Sequence, residues 1–341
     1  MSMNAPFAVV PVDISRWYSG DPAARAEVAR EIDVACSTSG FLGITGHQID
    51  QSIIHDMFEI TADFFQNDFA HKLQFNLDDA AANRGYAPLG SEALSYSLGI
   101  ESLPDQFEAF NMGREVPPAD ATDEELAAYF SPNVWPDDRF RDVWLRYWDA
   151  CESLGLDLVD MFALALDMPV GYFRPFVGQS ISVMRANWYN RYPNAAPLED
   201  GQLRMGAHSD YGSLTILAAD PVPGLQIRDT EGGWHDVLPP TNGFLVNLGD
   251  LLAEWTNDRW RATVHRVVPP PVDQTGAFRR RSIAWFQQPN HDALIEVLPT
   301  CVSADNPARY KPVTSGTHLM AKLVGPRVLE NTGEIEEQFL H

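Results

Sequence analysis

The sequence predicts a mainly β fold with flanking helices, in which a helical N-terminal half packs around a jelly-roll or double-sheet barrel core. Two observations carry this expectation. Before Pro169 the longer patterned segments place apolar residues at helical spacing, whereas after it they give way to short strand-like runs divided by turn clusters. A third observation concerns organisation: no repeat, low-complexity tract or linker-like stretch interrupts the 341 residues, so residues 1–341 read as a single structural unit.

In chain order, FAVVPVDIS reads as a short strand. The segment Ala23 to Ser37 alternates apolar and charged residues with a helical period, and the apolar, glycine-punctuated GFLGITGHQI follows it as a strand. A second helix is expected from Gln51 to Phe69. Residues Asn83 to Pro118 mix Gly, Pro and aromatics and read as irregular; Ala121 to Pro136, an acidic turn followed by SPNVWP, is a poor candidate for regular structure. A third helix is expected over Phe140 to Asp167, with Val143, Trp144, Tyr147, Leu154, Leu158 and Met161 supplying its apolar faces. Beyond Pro169 the strand candidates are SISVMRANWY, SLTILAAD, GLQIRD, GGWHDVLP, GFLVNLGD, ATVHRVV and RSIAWFQQP, with a hairpin turn within DTEGGWHDV.

The composition narrows the function classes. Lys and Arg total 24 against 47 Asp and Glu, a formal charge of -23 that repels phosphate backbones and anionic membranes, so neither nucleic acid nor membrane is an expected partner. Cys36, Cys151 and Cys301 are far apart, odd in number and without a CxxC pair, which disfavours both a disulfide framework and a cysteine zinc site; they read as buried small hydrophobes. The N-terminus lacks the basic and apolar blocks of a signal peptide, and no apolar run approaches a membrane span, so the chain reads as cytoplasmic.

Candidate metal ligands lie in MGAHSDYGSLTIL and ATVHRVV. His208 and Asp210 are two residues apart and on an extended chain share a face; downstream, His265 shares a face with Thr263 and Val267 while Arg266 takes the other. Two imidazoles and one carboxylate make up the facial triad that suits non-haem iron(II) and leaves coordination positions exchangeable. In FRRRSIAWFQQPN the same alternation groups Arg280, Ser282, Ala284 and Phe286, and in SVMRANWYNRYP it groups Arg185, Asn187 and Tyr189. An inward Arg and Ser grip a carboxylate well, and an inward Asn and Tyr need a polar partner. The bland alternative for Arg280 is a surface cation, since Arg279 and Arg281 flank it. Arg185 meets either an acidic substrate group or a structural ion-pair partner.

Taken together these motifs resemble the iron(II)/2-oxoglutarate-dependent oxygenases, in the branch similar to isopenicillin N synthase and the plant soluble dioxygenases. The resemblance runs over nearly the whole chain: VDISRWYSG and EIDVACSTSGFLGITGHQI at the start, then NWY, MGAHSDYGSLTIL, PGLQI, NLGDLLAEWTNDRWRATVHRV, RRSIAWF and QPN. It implies a double-stranded β-helix, that is, a jelly roll, spanning 178–290, an N-terminal dioxygenase-type region over 7–120 and a C-terminal helical tail over 300–341. It implies that His208, Asp210 and His265 hold Fe(II), that Arg280 and Ser282 form the RxS pair for the far carboxylate of 2-oxoglutarate, that Tyr189 supports that carboxylate and that Asn187 lies near the C1 carboxylate. The presence of Asp210 disfavours halogenation, because halogenating relatives carry a small residue there.

The reaction so implied is oxidation of a small organic metabolite by O2 (hydroxylation, desaturation or ring closure), with 2-oxoglutarate converted to succinate and carbon dioxide. Two alternatives are an isopenicillin N synthase-like oxidase that does not use 2-oxoglutarate, and a non-catalytic binding module on the same fold. Asn187 leans toward the 2-oxoglutarate users. By position in the branch, substrate contacts are expected around Arg84, Tyr86, Tyr96, Phe110 and Asn111, together with Arg185 and Phe286; Leu214, Val267 and Phe286 are expected to form a dry wall by the metal. The remaining histidines, His47, His55, His71, His235, His291, His318 and His341, read as solvated or packed residues.

Overall fold

The computed structural model describes residues 9–77, 83–190, 198–269 and 279–332. The chain opens with β1 (Val10–Asp13), α1 (Pro22–Thr38) and β2 (Phe41–Thr45). The Asp21 carboxylate caps α1 by accepting from the backbone N–H groups of Ala23 and Ala24 at 3.2 and 3.4 Å, and Pro22 occupies the first turn, where its missing N–H costs nothing. Gly40 turns the chain into β2 at φ 65°; a Cβ there would lie 2.2 Å from the Arg261 carbonyl oxygen, so only glycine fits. Next come α2 (Gln51–Phe65) and α3 (Phe69–Leu73). The single helix expected over Gln51 to Phe69 is therefore two. Gln66 and Asn67 donate back to the carbonyls of Ala62 and Asp63 at 3.0 and 2.9 Å, closing the first helix, and Asp68 caps the second through the His71 N–H at 2.7 Å.

The stretch expected to be irregular contains β3 (Gly85–Ala87) and β4 (Glu108–Gly113), and the acidic turn after it contains α4 (Asp123–Tyr129). That helix is announced by a capping box, with Thr122 accepting from Glu125 N–H at 3.2 Å and the Glu125 carboxylate accepting from Thr122 N–H at 2.7 Å. The long helix α5 (Asp138–Ala165) matches its expected span closely, and α6 (Arg174–Val177) follows. The remaining elements are β5 (Val183–Tyr189), β6 (Met205–His208), β7 (Leu214–Ala219), β8 (Leu225–Arg228), β9 (Trp234–Asp236), β10 (Phe244–Leu248), α7 (Asp250–Trp255), β11 (His265–Val267), β12 (Arg280–Gln287), β13 (Leu294–Ile295), β14 (Val313–Thr314) and α8 (Ser315–Thr332). The helical tail expected over 300–341 is helical from Ser315 to Thr332, and its last nine positions lie outside the described residues.

Eight strands form one sheet in the order β1-β2-β10-β7-β12-β5-β4-β3, and four form a second, β6-β11-β8-β9. This is the jelly-roll core with flanking helices that the strand pattern predicts. The β8–β9 pairing realises the expected hairpin. The large sheet separates two cores because alternate side chains leave opposite faces. Met184, Ala186 and Trp188 of β5 join a core shared with α1, α2 and α5, whereas Tyr189 joins a smaller one with Phe41, Met205, Ile227, Leu245 and Val267 between the two sheets. Registered partners share a face, so Arg185, Asn187, Arg280, Ser282, Thr215 and Asn247 all belong to the inter-sheet side. Among the described residues no helix is long and apolar enough to cross a membrane. All three cysteines are free and buried.

Candidate metal centre

His208 closes β6 and His265 opens β11, and the two are directly paired across the small sheet. Their rings lie 4.4 Å apart between centroids. Asp210 is not on the strand; it sits two residues past the end of β6, in the turn leading to β7. One ligand atom from each of the three residues lies within 4.8 Å of the others, and all three residues are buried. Asp210 Oδ1 is 3.8 Å from Nε2 of both histidines.

The two rings are oriented alike. His208 Nδ1–H donates to the Gly206 carbonyl at 2.8 Å, and His265 Nδ1–H donates to the Thr263 carbonyl at 3.1 Å. A carbonyl can only accept, so each proton sits on Nδ1 and each Nε2 presents its lone pair inward. The edge of Phe41 packs on the His265 ring at 5.5 Å between centroids. Asp210 Oδ2 accepts from Thr215 Oγ1 at 2.5 Å and from Asn247 Nδ2 at 2.6 Å. The Asp210 carbonyl also accepts from Asp250 N–H at 2.7 Å, tying the turn to the start of α7.

The electrostatics suit a cation. Burial pushes the His208 imidazole down to about 4, helped by neighbouring His265, so it is neutral at physiological pH. Burial alone would raise the Asp210 carboxyl, but the two imidazoles and the Thr215 and Asn247 donors outweigh it and hold it below its usual range. Two imidazole nitrogens and one carboxylate oxygen around a common point are the donor set that fits ferrous iron, which leaves positions for exchangeable ligands. Among the described residues this is the one cluster of three or more His, Cys, Asp or Glu arranged to hold a metal.

Deeper between the sheets lies Arg280, only 2% exposed, with its guanidinium 5.1 Å from the Tyr189 ring centroid. Its flanking arginines point elsewhere: Arg281 pairs with Asp220 at 3.0 Å, and Arg279 stacks over Trp188 at 4.8 Å. Nε and Nη1 of Arg280 meet no hydrogen-bond partner among the described residues. Burial lowers the Arg280 guanidinium from its ordinary value, yet a guanidinium stays charged, and a buried cation without a counter-ion is costly. Beside it Asn187 Nδ2 donates to Ser282 Oγ at 3.3 Å, while Asn187 Oδ1 has no partner among the described residues. A small dianion fits this set. Sequence reasoning missed a second cation here, the buried Arg204, whose guanidinium is lowered from its ordinary value by burial and by the neighbouring Arg280 cation. Its position just before β6 carried no periodic signal.

The other expected contacts divide. Arg185 forms an ion pair with Glu92 and lies 4.9 Å over the Phe107 ring, so the ion-pair alternative is realised; its Nε lacks a partner among the described residues. Asn111, its registered partner on β4, faces the same side and has a buried Oδ1 with no partner among the described residues. Phe286 is registered with Thr215 and so faces the metal side. Tyr96 lies half-buried in a 3-10 turn, Leu94–Leu98, that packs on β6. Three expectations are corrected. Tyr86 and Phe110 are registered partners on the opposite face, where Tyr86 donates to Glu108 and Phe110 packs among Phe64, Phe140 and Trp144. Arg84 is held by the carbonyls of Ser131 and Tyr129 at 3.1 and 3.4 Å. Leu214 turns into the helix-side core, because it has the parity of Ile216 and not of Thr215. For Tyr86, Phe110 and Leu214 the difference is one of register, since nothing in the local pattern marks β3 and β4 or fixes the phase of β7.

Comparison with known proteins agrees with this geometry. The family model of the 2OG-Fe(II) oxygenase superfamily matches residues 180–289, and that of the non-haem dioxygenase in morphine synthesis N-terminal region matches residues 10–138. The chain is 31% identical over 318 residues to a 2-oxoglutarate-Fe(II) type oxidoreductase, hxnY, of Emericella nidulans, covering 91% of this chain and 88% of the relative. It is 30% identical over 340 residues to a homoarginine-6-hydroxylase of Arabidopsis thaliana, covering 94% and 98%. The full-length Neurospora crassa protein crystallised with alpha-KG and thymine superposes with a TM-score of 0.81 at 31% identity, over 94% of this chain and 98% of that one.

Proposed function

The chain belongs to the 2OG-Fe(II) oxygenase superfamily, and from that premise we propose that it hydroxylates a small polar metabolite beside an iron held by His208, Asp210 and His265. It is a 2-oxoglutarate-dependent non-haem iron oxygenase that uses Fe(II), 2-oxoglutarate and O2 to oxidise a small organic molecule, releasing succinate and carbon dioxide. Bound at the triad, the metal supplies the oxygen chemistry. The protein's own residues bind, orient and exclude water.

The observation that carries the assignment of roles is the buried guanidinium of Arg280, whose Nε and Nη1 are unmatched among the described residues and face the same inter-sheet space as the triad. Arg280, with Ser282 and Tyr189 beside it, takes the far carboxylate of 2-oxoglutarate, and Asn187 takes the near one. This fixes the co-substrate in one orientation before oxygen arrives. Phe286, Val267 and Phe41 wall the site from water, and Arg185, Glu92, Asn111 and Tyr96 line the substrate side. Thymine in the Neurospora crassa relative and homoarginine in the Arabidopsis thaliana one are compact polar molecules, which supports a substrate of that size and polarity. The Arg185–Glu92 pair offers a donor and an acceptor side by side to such a molecule.

The test is a screen of polar metabolites scored for succinate and for product mass. We expect one succinate per product, a product heavier by one oxygen atom, and at least a roughly tenfold rise in the KM for 2-oxoglutarate in Arg280→Gln. A product lighter by two hydrogens would replace hydroxylation with desaturation or ring closure. Full turnover without succinate would overturn the role given to Arg280.

A further inference from the structure

Asp210 comes from a turn, and a carboxylate on a turn is free to rotate about its terminal torsion, which is broad and nearly two-fold. Here it is not free. Among the described residues both hydrogen bonds to its side chain fall on one oxygen, Oδ2, from Thr215 Oγ1 at 2.5 Å and Asn247 Nδ2 at 2.6 Å, while Oδ1 stands 3.8 Å from each imidazole Nε2. The structure assigns Thr215 and Asn247 as positioning residues that lock the Asp210 carboxylate so that Oδ1 alone faces the metal.

The lock has a clear origin. Thr215 of β7 and Asn247 of β10 are registered partners, and Phe41 of β2, which packs on His265, is the next partner in the same row. One rung of the large sheet therefore steadies two of the three ligands, both supplied by the facing side. Thr215 and Asn247 are themselves buried, so their donors have no water to turn to. With Oδ2 doubly engaged, Asp210 offers the ion one oxygen instead of two. A second carboxylate oxygen on the metal would occupy a position needed for 2-oxoglutarate or oxygen, so the two donors keep the coordination sphere open.

This inference rests on Asp210 being a metal ligand, and the experiment separates the two. Full-length protein and its variants are titrated with Co(II), a redox-stable probe, following the visible absorption of the bound ion. We expect Thr215→Val and Asn247→Leu, near-isosteric but without the donor, to bind Co(II) between about 10- and 100-fold more weakly and to shift the visible bands. Thr215→Ser, which keeps the hydroxyl, is expected to restore wild-type affinity and spectrum. Wild-type Co(II) affinity and bands in Thr215→Val, at an unchanged melting temperature, would overturn the assignment. If that variant does not fold, Thr215→Ala, which also removes the donor, carries the same expectation. Asp210→Ala reports on the underlying reading: wild-type Co(II) binding in that variant sinks both claims, whereas loss of binding there with retention in Thr215→Val sinks only the lock.

Discussion

The even spacing of His208 and Asp210 suggested two side chains on one strand face, and the three ligands do converge, but by a different route. β6 stops at His208, and Asp210 reaches the same point from a turn whose carbonyl is pinned to the start of α7. The residue types were legible because few donor sets suit ferrous iron. Thr215 and Asn247 were not, because a hydroxyl and an amide bonded to a carboxylate leave no periodic trace; only the strand register brings them together. The buried histidine also makes a prediction about pH. Burial holds His208 at about 4 in the folded metal-free protein, against about 6.5 for a free imidazole. The unfolded chain then binds more protons between those values, so this group's contribution is complete above pH ~6.5 and falls away as pH drops toward about 4. Asp105 acts in the opposite sense: burial pushes it up to about 6, so its contribution is present at low pH and is lost as pH rises through about 6. His208→Asn isolates the histidine. Denaturant titrations of metal-free wild type and variant should show wild type losing on the order of 3 kcal/mol relative to the variant between pH ~7 and ~4. Parallel pH profiles for the two proteins would contradict it.

At the scale of elements, strands bounded by turn clusters after Pro169 were legible, down to the three residues of β9 and β11, whereas β3 and the six-residue β4 were not. β5 and β12 were found and phased correctly, so that Arg185, Asn187 and Tyr189 and then Arg280 and Ser282 fell on the right side. β3 and β4 were hidden by the Gly, Pro and aromatic residues around them, and with their phase lost, Tyr86 and Phe110 were assigned to the wrong face. Glu108, Phe110 and Met112 face helices while Ala109 and Asn111 face the inter-sheet space, yet all are buried, so burial on both sides erased the polar alternation that marks a half-exposed strand. The capping box of α4 is written in the sequence at Thr122 and Glu125, but the helix behind it is only seven residues long, too short to show a helical apolar period. A helix against a sheet also demands close approach at one point. Gly155, mid-way along α5, lies where a Cβ would come within 2.7 Å of Trp285 Cζ3 and 2.9 Å of Cη2. Trp285 cannot swing aside, being 1% exposed and edge-packed on Trp148 at 6.0 Å. Alanine gains about 1 kcal/mol of helix propensity over glycine, whereas overpacking costs roughly 1–3 kcal/mol. Gly155→Ala should therefore be less stable than wild type by about 1 kcal/mol in thermal or urea unfolding, and a stabilised variant would show that α5 rides further from the sheet.

At the scale of the whole molecule, the N-terminal region is woven into the sheet that faces the metal. β1 and β2 enter that sheet beside β10, with β2 antiparallel to β10 and β1 parallel to β2, and β3 and β4 complete its other edge. The two family models divide the chain near its middle, at 10–138 and 180–289, but the hydrogen-bonded order of the strands does not. The largest core likewise takes Val28 and Ile32 from α1, Phe64 from α2, Trp144 and Leu158 from α5 and Ile216, Val246 and Trp285 from the sheet. The sequence hinted at this through the lack of any linker, but the order of strands follows from long-range pairings that no local pattern encodes. If the two regions share one core, they unfold together. Calorimetry of the metal-free protein should then give a single transition whose van't Hoff and calorimetric enthalpies agree. A chain beginning after Thr45 loses β1 and β2, uncovers the edge of β10 and removes Phe41 from the His265 ring. That truncation should abolish the transition and Co(II) binding together, leaving no smaller folded core. Two resolved transitions in the full chain, or a truncated chain that melts at the wild-type temperature, would mean that the sheet folds without its first two strands.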